Sequence, residues 1–170
     1  MGKKTTLISL DCSTKRTGMA IWENGKYKTS HVIDCSKIKD VDERIWEMGK
    51  LLWKGLEYYS SASSLATIYV EDTYCHGNPD VQKKLDRIQG IVLAWCIQHD
   101  ASFNYVMPSA WRKYIPEFPN GRSKREEQKA FSMQYVADHY KIDLISDDQA
   151  DAILIGEAVI RMSKEDTLQE

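Results

Sequence analysis

The chain has 170 residues, of which 42% are hydrophobic and 28% are charged, and this composition excludes wholesale disorder. The length is enough to bury a core without staples, so we expect one domain spanning residues 1–170. Since 23 Lys and Arg face 25 Asp and Glu, the formal charge of −2 excludes a simple basic coat for nucleic acid. Any binding of nucleic acid then needs a local patch or bound cations.

The opening third of the chain predicts three strands and a long helix. Strands are expected over residues 5–11, 18–23 and 26–33, and Asn24-Gly25 is a strong signal for a two-residue hairpin turn. The three strands are therefore antiparallel. A helix follows over residues 41–61, because apolar side chains recur there at helical spacing. That stripe consists of Val41, Ile45, Met48, Leu52, Leu56 and Tyr59.

The remaining chain alternates strands and helices. Strands are predicted over residues 67–71 and 103–107, with helices over 79–98, 108–114, 123–140 and 146–162. Ser123 with Glu126, and Ser146 with Gln149, each fit a capping box at a helix start. Strand and helix alternation after an antiparallel opening predicts an α/β fold with three layers, in which helices flank a mixed five-stranded sheet.

The N-terminus and the cysteines bear on location. Basic residues lead straight into a short apolar strand, so we expect no signal peptide. The longest strongly apolar run covers residues 91–97, far short of the ~20 residues that a membrane span needs. The four cysteines form no CxxC pair, which argues against a zinc knuckle. We expect a reduced, soluble, cytoplasmic protein without a membrane partner.

Acidic side chains stand at the ends of apolar segments, where apolar residues are expected. Asp11 follows the first strand, Glu71 follows the fourth, and Asp151 lies within an apolar helical run. Asp148 is three residues before Asp151, so both lie on one helical face. An ionised carboxylate in such a setting is costly unless it is paired, hydrogen-bonded or bound to a metal. Oxygen ligands favour hard cations such as Mg²⁺ or Mn²⁺, and two such ions support phosphodiester hydrolysis.

Each acid taken alone also has an ordinary structural explanation. Asp147 and Asp148 could complement the helix dipole, Glu71 could be an exposed strand end, and Asp11 could open a turn. Four acids on elements that could converge weaken those explanations, although spacing alone does not establish the convergence.

Three segments resemble the RuvC-type Holliday junction resolvases of the RNase H-like superfamily. They are Ile8-Ser9-Leu10-Asp11-Cys12-Ser13-Thr14-Lys15-Arg16-Thr17-Gly18, Val70-Glu71-Asp72-Thr73-Tyr74 and Asp148-Gln149-Ala150-Asp151-Ala152. Their order and intervals match the family over nearly the whole chain. One departure is the first turn, Asp-Cys-Ser-Thr, where the family commonly has Asp-Pro-Gly-Ser; it suggests a divergent branch, possibly encoded by a phage.

The resemblance implies an RNase H-like fold and a metal-dependent endonuclease. It implies that two Mg²⁺ ions, which Mn²⁺ can replace, are held without an organic cofactor by Asp11, Glu71, Asp148 and Asp151. Asp147 is the rival of Asp148, since it also shares a face with Asp151. The implied substrate is a four-way DNA junction, which a homodimer cuts with symmetric nicks.

Candidate DNA contacts come from the same segments and from basic clusters. Tyr74 corresponds to an aromatic residue that related resolvases insert into the junction, with packing against the next helix as the alternative. Lys15 and Arg16 follow Asp11 closely, and Lys124 and Arg125 start a helix where the family places basic contacts. The helix over residues 79–98 is apolar nearly all round in its second half, so either the core or a partner subunit covers it.

Other functions stay open at this point. Another RNase H-like nuclease, acting on structured RNA or branched DNA, would use the same acids without the wedge and the dimer. A junction-binding protein without catalysis would not need the acids. An ATPase of the sugar-kinase and actin type needs two such domains, for which 170 residues are too few.

Overall fold

A mixed five-stranded sheet with the order β3-β2-β1-β4-β5 forms the centre of the molecule. The computed structural model describes residues 4–61, 65–72, 77–119, 122–144 and 146–169. The strands are β1 (Thr5–Asp11), β2 (Arg16–Glu23), β3 (Lys26–Asp34), β4 (Leu65–Glu71) and β5 (Ser102–Val106). The first three are antiparallel, while β4 runs parallel to both β1 and β5. Asn24 and Gly25 have φ angles of 50° and 72°, as the predicted hairpin turn requires.

Helices cover both faces of the sheet. They are α1 (Val41–Ser60), α2 (Pro79–His99), α3 (Pro108–Trp111) with a 3₁₀ turn (Arg112–Tyr114), α4 (Arg125–Tyr140) and α5 (Asp147–Gln169). The helices α1 and α2 share one core cluster with the sheet, and α3, α4 and α5 share the other. The three-layer α/β fold predicted from the sequence is therefore confirmed.

Alternation along β1 and β4 decides which side chains reach which layer. Ile8 and Leu10 face the core beneath α1 and α2, as do Ile68 and Val70 on β4. The intervening residues therefore face α5. Asp11 continues this second set at the end of β1, and Glu71 continues it at the end of β4. Two carboxylates are thus delivered to the same face of the sheet.

Close backbone contacts fasten α5 to the sheet. The Ser9 hydroxyl on β1 donates to the Ala152 carbonyl at 2.7 Å. Farther along the helix, a Cβ on Gly156 would lie 2.0 Å from Trp22 Nε1 and 2.6 Å from Ser9 Oγ. Only glycine allows this approach, so the absence of a side chain at position 156 sets the distance between α5 and the sheet.

A half-buried acid joins α4 to α5. Glu157 on α5 accepts hydrogen bonds from the Tyr135 hydroxyl at 3.0 Å and the Tyr140 hydroxyl at 2.7 Å, both on α4. Arg161 pairs with the same carboxylate one turn farther along α5. This charged group is stable away from water because each of its oxygens has a partner.

The helix starts differ in part from the predicted capping boxes. The prediction for Ser123 with Glu126 is wrong, because Lys124 is still extended and α4 begins at Arg125. Glu127 is consequently the residue that accepts from the Lys124 backbone N–H, at 3.2 Å. The Ser146 half of the second box is confirmed, since its hydroxyl accepts from the Gln149 N–H at 3.3 Å. Helix α5 ends at Gln169, beyond the predicted residue 162.

The outer surface of α2 carries apolar side chains. Trp95 is fully buried, whereas Leu93 is 40% exposed and Ile97 is 74% exposed. Val81 is 43% exposed near the start of the helix. The apolar second half of α2 is thus only partly used by the core. Within the ranges that the structure describes, no helix combines the length and the hydropathy of a membrane span.

We expect Gly156→Ala to destabilise the protein by about 1–3 kcal/mol, because the added methyl overlaps Trp22 and Ser9. Gly90→Ala is the matched control: a Cβ there meets no atom within 4 Å. Replacing this exposed helical glycine should stabilise the fold by up to about 1 kcal/mol. Urea unfolding followed by circular dichroism measures both. Equal unfolding midpoints for the two variants would contradict the packing described for α5.

Candidate active site

Asp11 and Glu71 stand side by side at the carboxyl ends of neighbouring parallel strands. The register pairs Leu10 with Val70, which puts the next residue of each strand at the same edge of the sheet. Both side chains face the α5 layer. The backbone of the two strands alone therefore brings these two acids together, as expected from the sequence.

The first two turns of α5 bring three further acids, Asp147, Asp148 and Asp151, to this edge. A Cβ on Gly18 would lie 1.9 Å from the Asp148 carbonyl oxygen, so α5 starts in direct contact with the backbone of β2. Gln149 donates from Nε2 to the Ser30 hydroxyl on β3 at 2.8 Å. These contacts hold the helix start across the sheet, with its acids directed toward the end of β1.

The five acids line one open cavity of about 500 Å³. Its wall also includes polar and cationic side chains from the β1–β2 turn, the segment after β5, and α4. The lining residues are Asp11, Cys12, Ser13, Glu71, Pro108, Arg112, Phe118, Ser123, Arg125, Gln128, Lys129, Ser132, Asp147, Asp148 and Asp151. All four acids predicted from the sequence, and the rival Asp147, are therefore brought together in one place.

Burial and mutual repulsion raise the proton affinity of these acids. Burial is the largest reason that the pKa of Asp11 lies well above its ordinary value, and four neighbouring carboxylates raise it further. In decreasing effect, these neighbours are Glu71, Asp151, Asp148 and Asp147. Burial likewise raises the pKa of Asp151 to about 6. The pocket therefore concentrates negative charge in a setting where that charge is costly.

Nearby donors offset part of this cost at Asp151. Ser132 and Arg112 both lower the pKa of Asp151, against the effect of burial and of the Glu71 charge. The Ser132 hydroxyl lies near the carboxylate, but its oxygen makes no hydrogen bond of standard geometry with the described residues. Ser132 therefore acts on Asp151 as a nearby dipole, which is weaker than a formed hydrogen bond.

The rivals Asp147 and Asp148 have different surroundings. Lys129 on α4 forms an ion pair with Asp147. Asp148 is partly buried, and its pKa is raised by burial and by the Asp147 charge. Lys129 and Arg16 lower the pKa of Asp148 only as distant charges. Asp147 therefore has a direct cationic partner, Lys129, whereas cations act on Asp148 only through their charge.

Glu71 has a partner that the sequence did not reveal. The indole Nε1 of Trp111 donates to Glu71 Oε1 at 2.8 Å, and Gln89 on α2 donates to the Glu71 backbone carbonyl at 3.2 Å. No local pattern indicated either contact, since the partners lie 40 and 18 residues from Glu71.

The predicted DNA contacts divide into two groups. Arg125 lines the pocket, together with Arg112 and Lys129, which are not among the DNA contacts predicted from the sequence. Lys15 and Lys124 are exposed outside its lining. Arg16 is exposed and pairs with Asp34 at 2.9 Å.

The first turn departs from the family pattern and is held by side chains. Thr17 donates from its hydroxyl to the Ser13 carbonyl at 2.9 Å and accepts from the Ser13 N–H at 3.1 Å. The Ser13 hydroxyl accepts from the Lys15 N–H at 3.1 Å. The turn contains no residue of positive φ, so it does not require the glycine that the family commonly has there.

Tyr74 lies outside the described residues, as do its neighbours Thr73, Cys75 and His76. Across the described ranges, no three His, Cys, Asp or Glu side chains already form a cluster able to hold a metal ion. Three effects keep the acids of the pocket apart: repulsion between the carboxylates, the hydrogen bond from Trp111 to Glu71, and the ion pair of Lys129 with Asp147.

No protein-family model and no curated protein matches the sequence. Solved structures do match. T. thermophilus RuvC in complex with a Holliday junction substrate has a TM-score of 0.69 at 12% identity, covering 95% of this chain and 96% of RuvC. A second Thermus thermophilus RuvC structure has a TM-score of 0.70 at 14% identity, covering 95% and 97%. The chain has the RuvC fold.

A third match supports the same conclusion. The yeast mitochondrial Holliday junction resolvase Ydc2 has a TM-score of 0.59 at 11% identity, covering 94% of this chain and 79% of Ydc2. The RuvC-type resemblance that the three sequence segments suggested is thereby confirmed at the level of the fold. Because the identities are low, these matches show the fold alone.

The raised pKa of Asp151 predicts how stability depends on pH without metal. Its folded pKa of about 6 exceeds the ordinary value of 3.8, so the folded state binds a proton that the unfolded chain releases. The metal-free protein should lose stability as pH rises from about 4 to about 6. Asp151→Asn should therefore stabilise it by about 1–2 kcal/mol near pH 7, less than the full shift because the group is partly exposed.

Urea unfolding in the presence of a chelator measures this gain. Asp166→Asn, an exposed change on the same helix, is the control and should alter stability by less than about 0.5 kcal/mol. A variant at position 151 that is no more stable than wild type near neutral pH would show that burial and repulsion do not act on this carboxylate as described.

Proposed function

We propose that this protein is a structure-selective endonuclease that resolves four-way DNA junctions. The observation that carries the proposal is the convergence of Asp11, Glu71 and the acids of α5 in one open pocket on a RuvC fold. One of the matching structures is RuvC with a Holliday junction substrate, and Ydc2 is described as a Holliday junction resolvase. Those substrates are the basis for choosing branched DNA here.

The donor set of the pocket fits hard divalent cations. The acids offer only oxygen ligands, which Mg²⁺ and Mn²⁺ prefer. The pocket's five carboxylates also outnumber its three cationic side chains, Arg112, Arg125 and Lys129. We assign Asp11, Glu71, Asp148 and Asp151 as ligands of two Mg²⁺ ions, with Mn²⁺ as a substitute. We favour Asp148 over Asp147 because Lys129 already pairs with Asp147.

The proposed reaction is hydrolysis of a DNA phosphodiester. A water oxygen forms the new bond to phosphorus, the bond to the 3′ oxygen breaks, and the products carry a 5′ phosphate and a 3′ hydroxyl. Bound metal ions supply activation of water and stabilisation of the departing oxygen. The chain's own acids orient the reacting groups, and the fixed contact between α5 and Gly18 keeps Asp148 beside Asp11.

Cationic side chains around the pocket provide the attraction for phosphate. Arg112, Arg125 and Lys129 line it, and exposed Lys15, Arg16 and Lys124 extend positive charge away from it. Contacts of this kind give affinity that falls as salt concentration rises. Arg16 would have to exchange Asp34 for a phosphate, which an exposed ion pair permits at small cost.

The wedge role of Tyr74 stays a prediction from the sequence. An aromatic side chain stacked on an unpaired base contributes about 1–3 kcal/mol. A junction carrying a fluorescent base tests the role, since Tyr74→Ala should reduce its opening. The cytoplasmic location likewise stays a prediction.

We predict that Asp11→Asn, Glu71→Gln, Asp148→Asn and Asp151→Asn each lower cleavage by more than about 100-fold, since groups that only orient a metal ligand already contribute about 10–100-fold. Binding of the junction should persist, because the phosphate-contacting cations are unchanged. Asp147→Asn is the matched control and should retain most activity. A synthetic four-way junction incubated with and without Mg²⁺ gives the measurement, with symmetric nicks as the readout.

The substrate arms of this assay separate the alternatives. Cleavage of structured RNA in preference to the junction would assign the chain to another RNase H-like activity. Junction binding without metal-dependent nicking would reduce it to a binding protein. Full activity of Asp11→Asn or Asp151→Asn would contradict the assignment of these residues as metal ligands.

We further propose a homodimer, because two symmetric nicks require two sites. The exposed Leu93 and Ile97 on α2 are the surface we assign to it. Ile97→Lys should convert the dimer to a monomer, because it would bury a charge in an apolar contact. Light scattering at micromolar concentration measures the mass, with Lys164→Ala on the exposed side of α5 as the control. A monomeric wild-type protein would contradict the assignment.

A further inference from the structure

Trp111 is a fully buried side chain whose polar atom reaches the candidate active site. It ends the short helix α3, which follows β5 with Pro108 in its first turn. Its indole N–H donates to Glu71 Oε1 at 2.8 Å. Phe118 packs edge-on against the ring, with centroids 5.3 Å apart. The ring cannot turn in this packed core, so the direction of its N–H is fixed.

Glu71 is also held through its backbone. Gln89 donates to the Glu71 carbonyl at 3.2 Å, and the N–H of the next residue, Asp72, donates to the Val106 carbonyl at 2.9 Å. The strand end is thereby tied to α2 on one side and to β5 on the other. With its backbone fixed, Glu71 can change position mainly by rotating its side chain, and the Trp111 bond acts on that rotation.

The chemistry of the indole suits this role. An indole N–H donates one hydrogen bond and has no lone pair to offer a cation. It can therefore orient a carboxylate without competing with it as a metal ligand. Groups that orient metal ligands in this way contribute about 10–100-fold to metal affinity.

We propose that Trp111 is a positioning residue that orients the Glu71 carboxylate for a divalent cation. The inference rests on the proposed function in so far as that function assigns Glu71 as a ligand. Arg112, the next residue, lines the pocket and lies over the Trp111 ring at 5.2 Å. Trp111 thus connects the position of Glu71 with that of a pocket cation.

Substitution by phenylalanine removes the donor and keeps an aromatic ring. Trp111→Phe should weaken Mn²⁺ binding about 10-fold, measured without DNA from the electron paramagnetic resonance signal of free Mn²⁺. Cleavage should fall at low Mn²⁺ and recover as Mn²⁺ is raised. Trp95→Phe is the matched control, because Trp95 is equally buried and its Nε1 has no hydrogen-bond partner among the described residues. It should leave Mn²⁺ affinity within about twofold, because Trp95 packs in the core cluster of α1 and α2 and does not line the pocket.

A second measurement leaves Trp111 in place and covers the case in which the variant does not fold. The chain has five tryptophans, and their indole N–H signals can be followed by NMR in ¹⁵N-labelled protein. Adding Mg²⁺ should shift the Trp111 signal more than the other four. Glu71→Gln should move the same signal and remove its response to Mg²⁺.

The outcomes separate the inference from the proposed function. Equal Mn²⁺ affinities for Trp111→Phe and Trp95→Phe, or a Trp111 signal that responds to neither Mg²⁺ nor Glu71→Gln, overturn the inference alone. If Trp111→Phe and Trp95→Phe change Mn²⁺ affinity as expected but the protein cuts no junction, the proposed substrate is overturned and the inference stands. A wild-type protein that binds neither Mn²⁺ nor Mg²⁺ overturns both.

Discussion

The approach of α5 to the sheet is the contact on which the candidate site depends. Gly18 allows the Asp148 carbonyl to lie where any other residue would place its Cβ, and Gly156 allows the same closeness farther along the helix. Ser9 and Ser30 then tie the helix to β1 and β3. If α5 were held a side chain's width farther away, its acids would no longer share a pocket with Asp11. The geometry of the site is therefore a consequence of the close packing of α5 against the sheet.

The close packing of α5 places several carboxylates together where their charge is unfavourable. Burial and repulsion raise the pKa of Asp11, Asp148 and Asp151, so the fold holds acids where their charge is unfavourable. A core designed only for stability would not collect such groups, because neutral residues would cost less. The arrangement is reasonable when a cation completes it, and the open pocket lets a phosphate reach the same place. The carboxylates that make the bare pocket energetically unfavourable are thus the groups that serve the hydrolysis we propose.

The two layers of helices contribute in different ways. The helices on the face of the sheet that Asp11 points to are α3, α4 and α5. They supply acids, cations and the indole of Trp111. Helix α2 on the other face supplies Gln89, which holds the backbone of Glu71, and exposes Leu93 and Ile97. A subunit bound to the outer surface of α2 would therefore contact the helix that supports one of the acids. The proposed dimer contact and the position of Glu71 would in this way be linked through α2.

The sequence alone determined the strands, the Asn24-Gly25 turn and the placement of Asp11 and Glu71 at strand ends, because alternation and turn chemistry are local properties. It also indicated that Asp148 and Asp151 share a helical face. The sequence did not predict the exact start of α4, because Ser123 is the favoured type of cap residue and only the extended backbone at Lys124 moves the start to Arg125. The tertiary structure alone decided that Lys129 pairs with Asp147 and that Trp111 binds Glu71, contacts between residues 18 and 40 positions apart. Contacts of that separation depend on how whole elements pack, which no short segment encodes.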